Sequence, residues 1–93
     1  MLYKRKDFVV FKYKKGFIVH NTKKLFEEGH THIENYHMCK IVIDNVLKSR
    51  VPKTTNTYLL ISHVKLSTNE QYKKTLLELH DLILENHNKV KGN

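Results

Sequence analysis

The chain has 93 residues, 40% of them hydrophobic, with 17 Lys or Arg against 9 Asp or Glu and a formal net charge of +8. Roughly 100 residues serve one independent core, so residues 1–93 read as a single small basic domain with room for a modest core but not for a deep substrate cavity as well. No run of about 18 apolar residues occurs, which excludes a membrane-spanning helix, and the stretch from Phe8 to Phe11 is shorter than the roughly 7 to 15 apolar residues of a signal peptide, so a cytoplasmic protein is expected.

In chain order, Asp7 to Tyr13 is β-branched and aromatic, Lys14, Lys15 and Gly16 supply a turn, and Phe17 to His20 resumes the same composition. The pattern predicts a β-hairpin over about residues 7–20. Side chains alternate along a strand, so Lys4, Lys6, Phe8, Val10, Lys12 and Lys14 share one face. Val9, Phe11 and Tyr13 form the more apolar face, which is expected to pack on the domain and leave the lysines around Phe8 in solvent.

A polar connection over residues 21–29 follows. Thr31 and Glu34 then have capping-box spacing, predicting a helix over about residues 32–49 whose apolar stripe is Tyr36, Cys39, Val42, Ile43, Val46 and Leu47. Pro52 stops it. The apolar run from Tyr58 to Val64 fits either a buried strand or a short helix, and a helix over 57–66 is preferred. Ser67 and Glu70 repeat the capping-box spacing ahead of a last helix over about 68–87. That helix has Tyr72, Leu76, Leu79 and Ile83 on one face and Leu77, His80 and Leu84 on another. The expected fold is α+β, a β-hairpin packed on a small three-helix bundle in the order ββααα. The second apolar face of the last helix is expected to be flanked by the two preceding helices, the alternative being that Leu77, His80 and Leu84 are candidates for a homodimer or partner interface.

The single Cys39 lies among apolar neighbours and reads as a core residue rather than a reactive thiol. Of the seven histidines, His30 and His32 could chelate a divalent ion from an extended segment, with His37 or Glu34 as third ligand. No Cys pair or metalloprotease pattern accompanies them, so no metal is expected. His63, on an apolar segment, reads as a satisfied core or interface histidine. A metal-independent ribonuclease could be assembled from His30, His32 and Lys24, but no recognisable motif completes it. Gly16, Gly29 and Gly92 are isolated, which leaves no phosphate loop and no expected cofactor.

Charge is the informative feature. Residues 1–24 carry Lys4, Arg5, Lys6, Lys12, Lys14, Lys15, Lys23 and Lys24 against Asp7 alone, and the remainder of the chain is nearly neutral. A one-sided field of this kind attracts a polyanion to one surface. The expectation is a non-enzymatic protein that contacts DNA or RNA through these eight residues, with Phe8, Tyr3 or Tyr13 stacking on bases where exposed. Arg is confined to Arg5 and Arg50, which argues against sequence-specific guanine readout. The Lys-, Asn-, Ile- and Tyr-rich composition suggests an AT-rich phage or mobile-element source. From it comes the alternative of an accessory protein that inhibits a host protein, for example a nucleoprotein defence complex.

Overall fold

The computed structural model describes residues 1–91. It is an α+β fold: strands β1 (Tyr3–Arg5), β2 (Phe8–Tyr13), β3 (Gly16–Asn21) and β4 (His30–Ile33) are followed by helices α1 (Tyr36–Leu47), α2 (Thr57–Leu66) and α3 (Glu70–Lys91). The strands form one antiparallel sheet in the order β1-β2-β3-β4. The expected hairpin is therefore the centre of a four-stranded meander.

Tight turns set the register. Arg5 pairs with Phe8 and Tyr13 with Gly16, so the β1–β2 and β2–β3 connections are the two-residue turns Lys6–Asp7 and Lys14–Lys15. Lys6 (φ 57°) and Lys14 (φ 52°) take the left-handed conformation that turns of this length demand.

Two helix starts differ from the capping-box expectation because the candidate cap residue is used by the preceding element. Residues 30–33 do not open α1. They pair with β3, placing Val19 opposite Thr31 and Phe17 opposite Ile33. A ladder that buries Thr31 and Ile33 and bonds Thr31 Oγ1 to Ser62 Oγ at 2.6 Å satisfies more groups than one reciprocal cap. Asn35 caps α1 instead, its side chain accepting from the Met38 N–H at 2.9 Å. Likewise Ser67 terminates α2, and α3 is capped by Asn69, whose side chain accepts from the Tyr72 N–H at 3.0 Å. At the other end of α1, Arg50 N–H bonds Asn45 O and Ser49 N–H bonds Val46 O, a Schellman stop with Ser49 at φ 51°. Residues 57–66 are helical as expected, with Asn56 accepting from the Leu59 N–H.

The core lies between one face of the sheet and the helices. Phe8, Val10, Val19 and Ile33 meet Cys39, Val42, Ile43 and Val46 of α1, Leu60 and Leu66 of α2, and Tyr72 and Leu76 of α3. Each such side chain removed from water stabilises the fold by about 1.5–3 kcal/mol. His63 is fully buried beside this cluster. Its Nδ1–H donates to Leu59 O at 2.7 Å, and its Nε2 accepts from Asn45 Nδ2 at 3.2 Å. Burial pushes the His63 pKa below its ordinary value, so the imidazole is a neutral, satisfied core group.

The expected facing of β2 is inverted. Phe8 (4% exposed) and Val10 (0%) point into the core, while Phe11 (38%) and Tyr13 (43%) lie on the far side of the sheet, which no helix covers. Register with β3 explains the choice. The even residues of β2 pair with Asn21, Val19 and Phe17, and Asn21 reaches across to donate to Leu66 O at the end of α2. Val9 and Ile18 are also buried but stand outside the core cluster, on the opposite face.

Candidate nucleic-acid interface

Alternation along paired strands assigns the uncovered face. Val9, Phe11 and Tyr13 of β2 align with His20, Ile18 and Gly16 of β3, and Ile18 and His20 align with His32 and His30 of β4. Lys4 of β1 is in register with Val9 and joins the same face.

Aromatic rings run across this surface without a break. The Tyr13 ring meets His32 edge-on at 5.5 Å, His32 meets His30 at 5.2 Å, and His30 stacks on Phe26 at 4.1 Å with the planes 5° apart. Phe26 in turn meets His20 at 5.2 Å. Loop 22–29 holds Phe26 in place because the His30 ring bonds the Phe26 carbonyl and His20 Nε2–H donates to Lys24 O at 3.0 Å. Phe11, on the same face, adds a further exposed ring. The three edge-on pairs, at 5.2–5.5 Å, have the separations of favourable edge-to-face contacts, and His30 and Phe26 are stacked more closely.

The N-terminal cations divide into two sets. Three are engaged by the fold. Arg5 bonds Asp44 at 2.8 Å, and Lys48 (3.1 Å) and Arg50 (3.0 Å) converge on the same carboxylate. Hydrogen bonds from Arg5 and then Lys48 hold Asp44 down at a pKa of about 2. Lys23 pairs with Asp7 at 3.5 Å. Lys24 donates to Lys65 O (2.8 Å) and Ser67 O (3.2 Å) at the C-terminus of α2, where a cation also meets the negative end of the helix dipole. Burial, and then the nearby Lys73, lower the Lys24 pKa.

The second set edges the sheet. Lys4 stands on the aromatic face, Lys6 at the β1–β2 turn, and Lys14 and Lys15 at the β2–β3 turn, with Lys14 Nζ 5.3 Å over the Tyr13 ring. Lys12 is exposed but alternates to the helix side, its Nζ 4.7 Å over Phe17. Tyr3 also faces the helices, and Lys40 Nζ sits 4.9 Å from its ring and 4.8 Å from that of Tyr36. Phe8, expected as an exposed ring, is a core residue.

His30 and His32 touch one another through their rings, and among the described residues no group of three or more His, Cys, Asp or Glu is arranged to hold a metal ion. Lys24 gives its ammonium protons to α2 carbonyls rather than to a site around these imidazoles. Cys39 is buried and its thiol is pushed up to about 11, mainly by desolvation. On α3, Leu77 (40%) and Leu84 (42%) are exposed together with Leu82, and His80 is half-buried with Nδ1 3.2 Å from Asp81 Oδ1. Among the described residues no helix is long and apolar enough to cross a membrane.

Sequence reasoning missed Phe11, Phe26 and the joint placement of His20, His30 and His32. Period-two spacing in Ile18 to His20 and in His30 to His32 was the available signal. It becomes informative once residues 30–33 are read as a strand.

In comparisons with known proteins, no family model matches the chain, and no curated protein or solved structure gives a match.

Proposed function

We propose that the chain binds single-stranded nucleic acid without catalysis, stacking bases on the uncovered face of its sheet. The observation that carries this reading is the unbroken line of rings from Tyr13 through His32, His30 and Phe26 to His20. Bases that are not paired and stacked in a duplex can lie on such rings, each contributing about 1–3 kcal/mol, with little dependence on base identity. Lys4, Lys6, Lys14 and Lys15 at the edges of the face would take phosphates and release counterions. With about four phosphates neutralised, log K should fall with log salt at a slope near −3, since each contributes about −0.7 on a single strand. Arg5 and Arg50 are both spent on Asp44, which leaves bidentate guanine readout without its usual side chain.

The test is fluorescence anisotropy of labelled single strands and duplexes, DNA and RNA, at low and physiological salt. Saturable single-strand binding with a log-linear salt slope and weaker duplex binding is expected. Absence of binding at low salt, or a preference for duplex, refutes the reading. In that event the exposed Leu77, Leu82 and Leu84 of α3 favour the second reading, contact with a host protein complex through an apolar helix face.

A further inference from the structure

The aromatic line does not end at Tyr13. Tyr13 and His32 also line a cleft of about 790 Å³ formed where the β2–β3 turn, the β4–α1 connection and the start of α2 come together. Its volume falls within the roughly 300–1,000 Å³ typical of ligand sites. Phe17, Met38, Tyr58 and Leu59 supply apolar and aromatic walls, Lys14 and Lys15 supply two cations, and Glu34 is the one carboxylate among the lining residues.

The walls are fixed. Tyr58 Oη–H donates to His32 O at 2.9 Å, tying α2 to the outer edge of β4. A Cβ at Gly16 would lie 3.1 Å from Ile33 O and 3.2 Å from Glu34 Cα, so the β2–β3 turn is seated directly against the end of β4. Helices α1 and α2 both begin at this cleft, capped by Asn35 and Asn56, and neither has an acidic residue in its first turn. The positive ends of their dipoles add to the field of Lys14 and Lys15, and Glu34, next to the α1 cap, is the opposing carboxylate among the lining residues.

An internal phosphodiester carries one negative charge, whereas a terminal phosphate monoester carries about −1.5 to −2 at neutral pH. Paired lysines over aromatic walls discriminate in favour of the second. We infer that this cleft holds the phosphorylated terminal nucleotide of the strand, its base against Tyr13, Phe17 and Tyr58 and its phosphate monoester on Lys14 and Lys15. The inference rests on the single-strand reading and deepens it: the sheet face binds any strand, and the cleft selects strands by their end.

One oligonucleotide sequence with a 5′-phosphate, a 3′-phosphate or hydroxyl ends separates the two levels. One phosphorylated form should bind about tenfold tighter than the hydroxyl form, the scale of an added charge-assisted contact. The Lys14→Gln/Lys15→Gln double variant, which also removes two of the four phosphate contacts at the edges of the sheet, should bind every strand more weakly and with a smaller salt slope, and should in addition lose the preference for the phosphorylated end. Amide shifts on titration with a nucleoside monophosphate, read by NMR on the isotope-labelled protein, should cluster at residues 13–17, 32–38 and 56–59. Equal affinity for all three ends, with hydroxyl-ended strands still bound, overturns the inference and leaves the single-strand reading intact. A preference that survives in the double variant also overturns it. If no oligonucleotide binds, the monophosphate titration decides alone: shifts at the cleft support it as a nucleotide site, and their absence refutes it.

Discussion

Phe8 and Phe11 are three residues apart on one strand and face opposite sides of it, so truncating each to Ala separates stability from binding. Phe8 is 4% exposed and belongs to the core. Phe8→Ala should cost about 3–5 kcal/mol through lost transfer energy and a residual cavity. That is a large share of the roughly 5–14 kcal/mol expected for a domain of this size. Phe11 is 38% exposed and outside the core. Phe11→Ala should cost about 1 kcal/mol of stability, because much of the ring already meets water. If Phe11 carries one stacked base, its removal should weaken single-strand binding by about 1–3 kcal/mol, or roughly 5- to 150-fold in Kd. Thermal denaturation by circular dichroism reads the first quantity and oligonucleotide anisotropy the second. A folded Phe11→Ala protein that binds within about twofold of wild type would refute a stacking role for Phe11, and the same result for Tyr13→Ala and Phe26→Ala would remove the sheet face as the interface.

Asp44 joins β1, α1 and the loop after α1 through Arg5, Lys48 and Arg50. Its pKa is lowered from 3.8 to about 2, so its contribution is fully present above 3.8 and is lost as pH falls toward 2. Wild type should melt at a higher temperature than Asp44→Asn at pH 6, and the two should converge near pH 2; a difference unchanged by acid would refute the linkage. His63 shifts in the opposite chemical sense: its pKa lies below the ordinary 6.5 because burial disfavours the imidazolium. Its neutral form stabilises the fold fully above 6.5, and stability declines as pH falls below that value, where the unfolded chain takes up the proton first. In His63→Gln that part of the decline between pH 7 and 5 should vanish, which paired denaturant titrations would show. Ser49→Gly should raise stability by about 1 kcal/mol, because Ser49 occupies the left-handed position of the α1 stop where Gly has no Cβ penalty. An unchanged or lowered Tm would show that Ser49 Oγ, which accepts from Asn69 at 3.3 Å, matters more than its backbone.

Helix α2, the buried Cys39 and the satisfied His63 were legible because each depends on composition within a few residues. The facing of β2 was not. Apolar residues occupy both of its sides, with Val9 and Ile18 buried on one and Phe8 and Val10 on the other, so alternation alone could not choose the core face. Strand β4 was hidden for a related reason. Thr31 and Glu34 have the spacing of a cap, and only pairing with β3 and the Thr31 to Ser62 bond turn that stretch into a strand. The concentration of lysines was plain in the sequence, but their partners were not. Arg5 finds Asp44 39 residues away, and Lys24 finds carbonyls 41 and 43 residues away.

Two of the lysines at the edge of the sheet also stand where local conformation argues against them. Lys6 and Lys14 adopt φ of 57° and 52°, a region that costs an ordinary L-residue roughly 1–2 kcal/mol and that Gly or Asn enters more easily. Both head two-residue turns, the setting in which Asn-Gly or Gly-containing pairs are favoured. Among the described residues Lys14 pairs with no carboxylate, and its Nζ lies 5.3 Å over the Tyr13 ring. On the single-strand reading proposed above, the strain at Lys14 would be retained for the phosphate contact the lysine makes. The two positions flank β2, so the strain falls at opposite ends of the strand that carries Phe11 and Tyr13. Replacing Lys14 by Gly should therefore raise the melting temperature while weakening strand binding, whereas a lysine serving only solubility would give the first effect without the second.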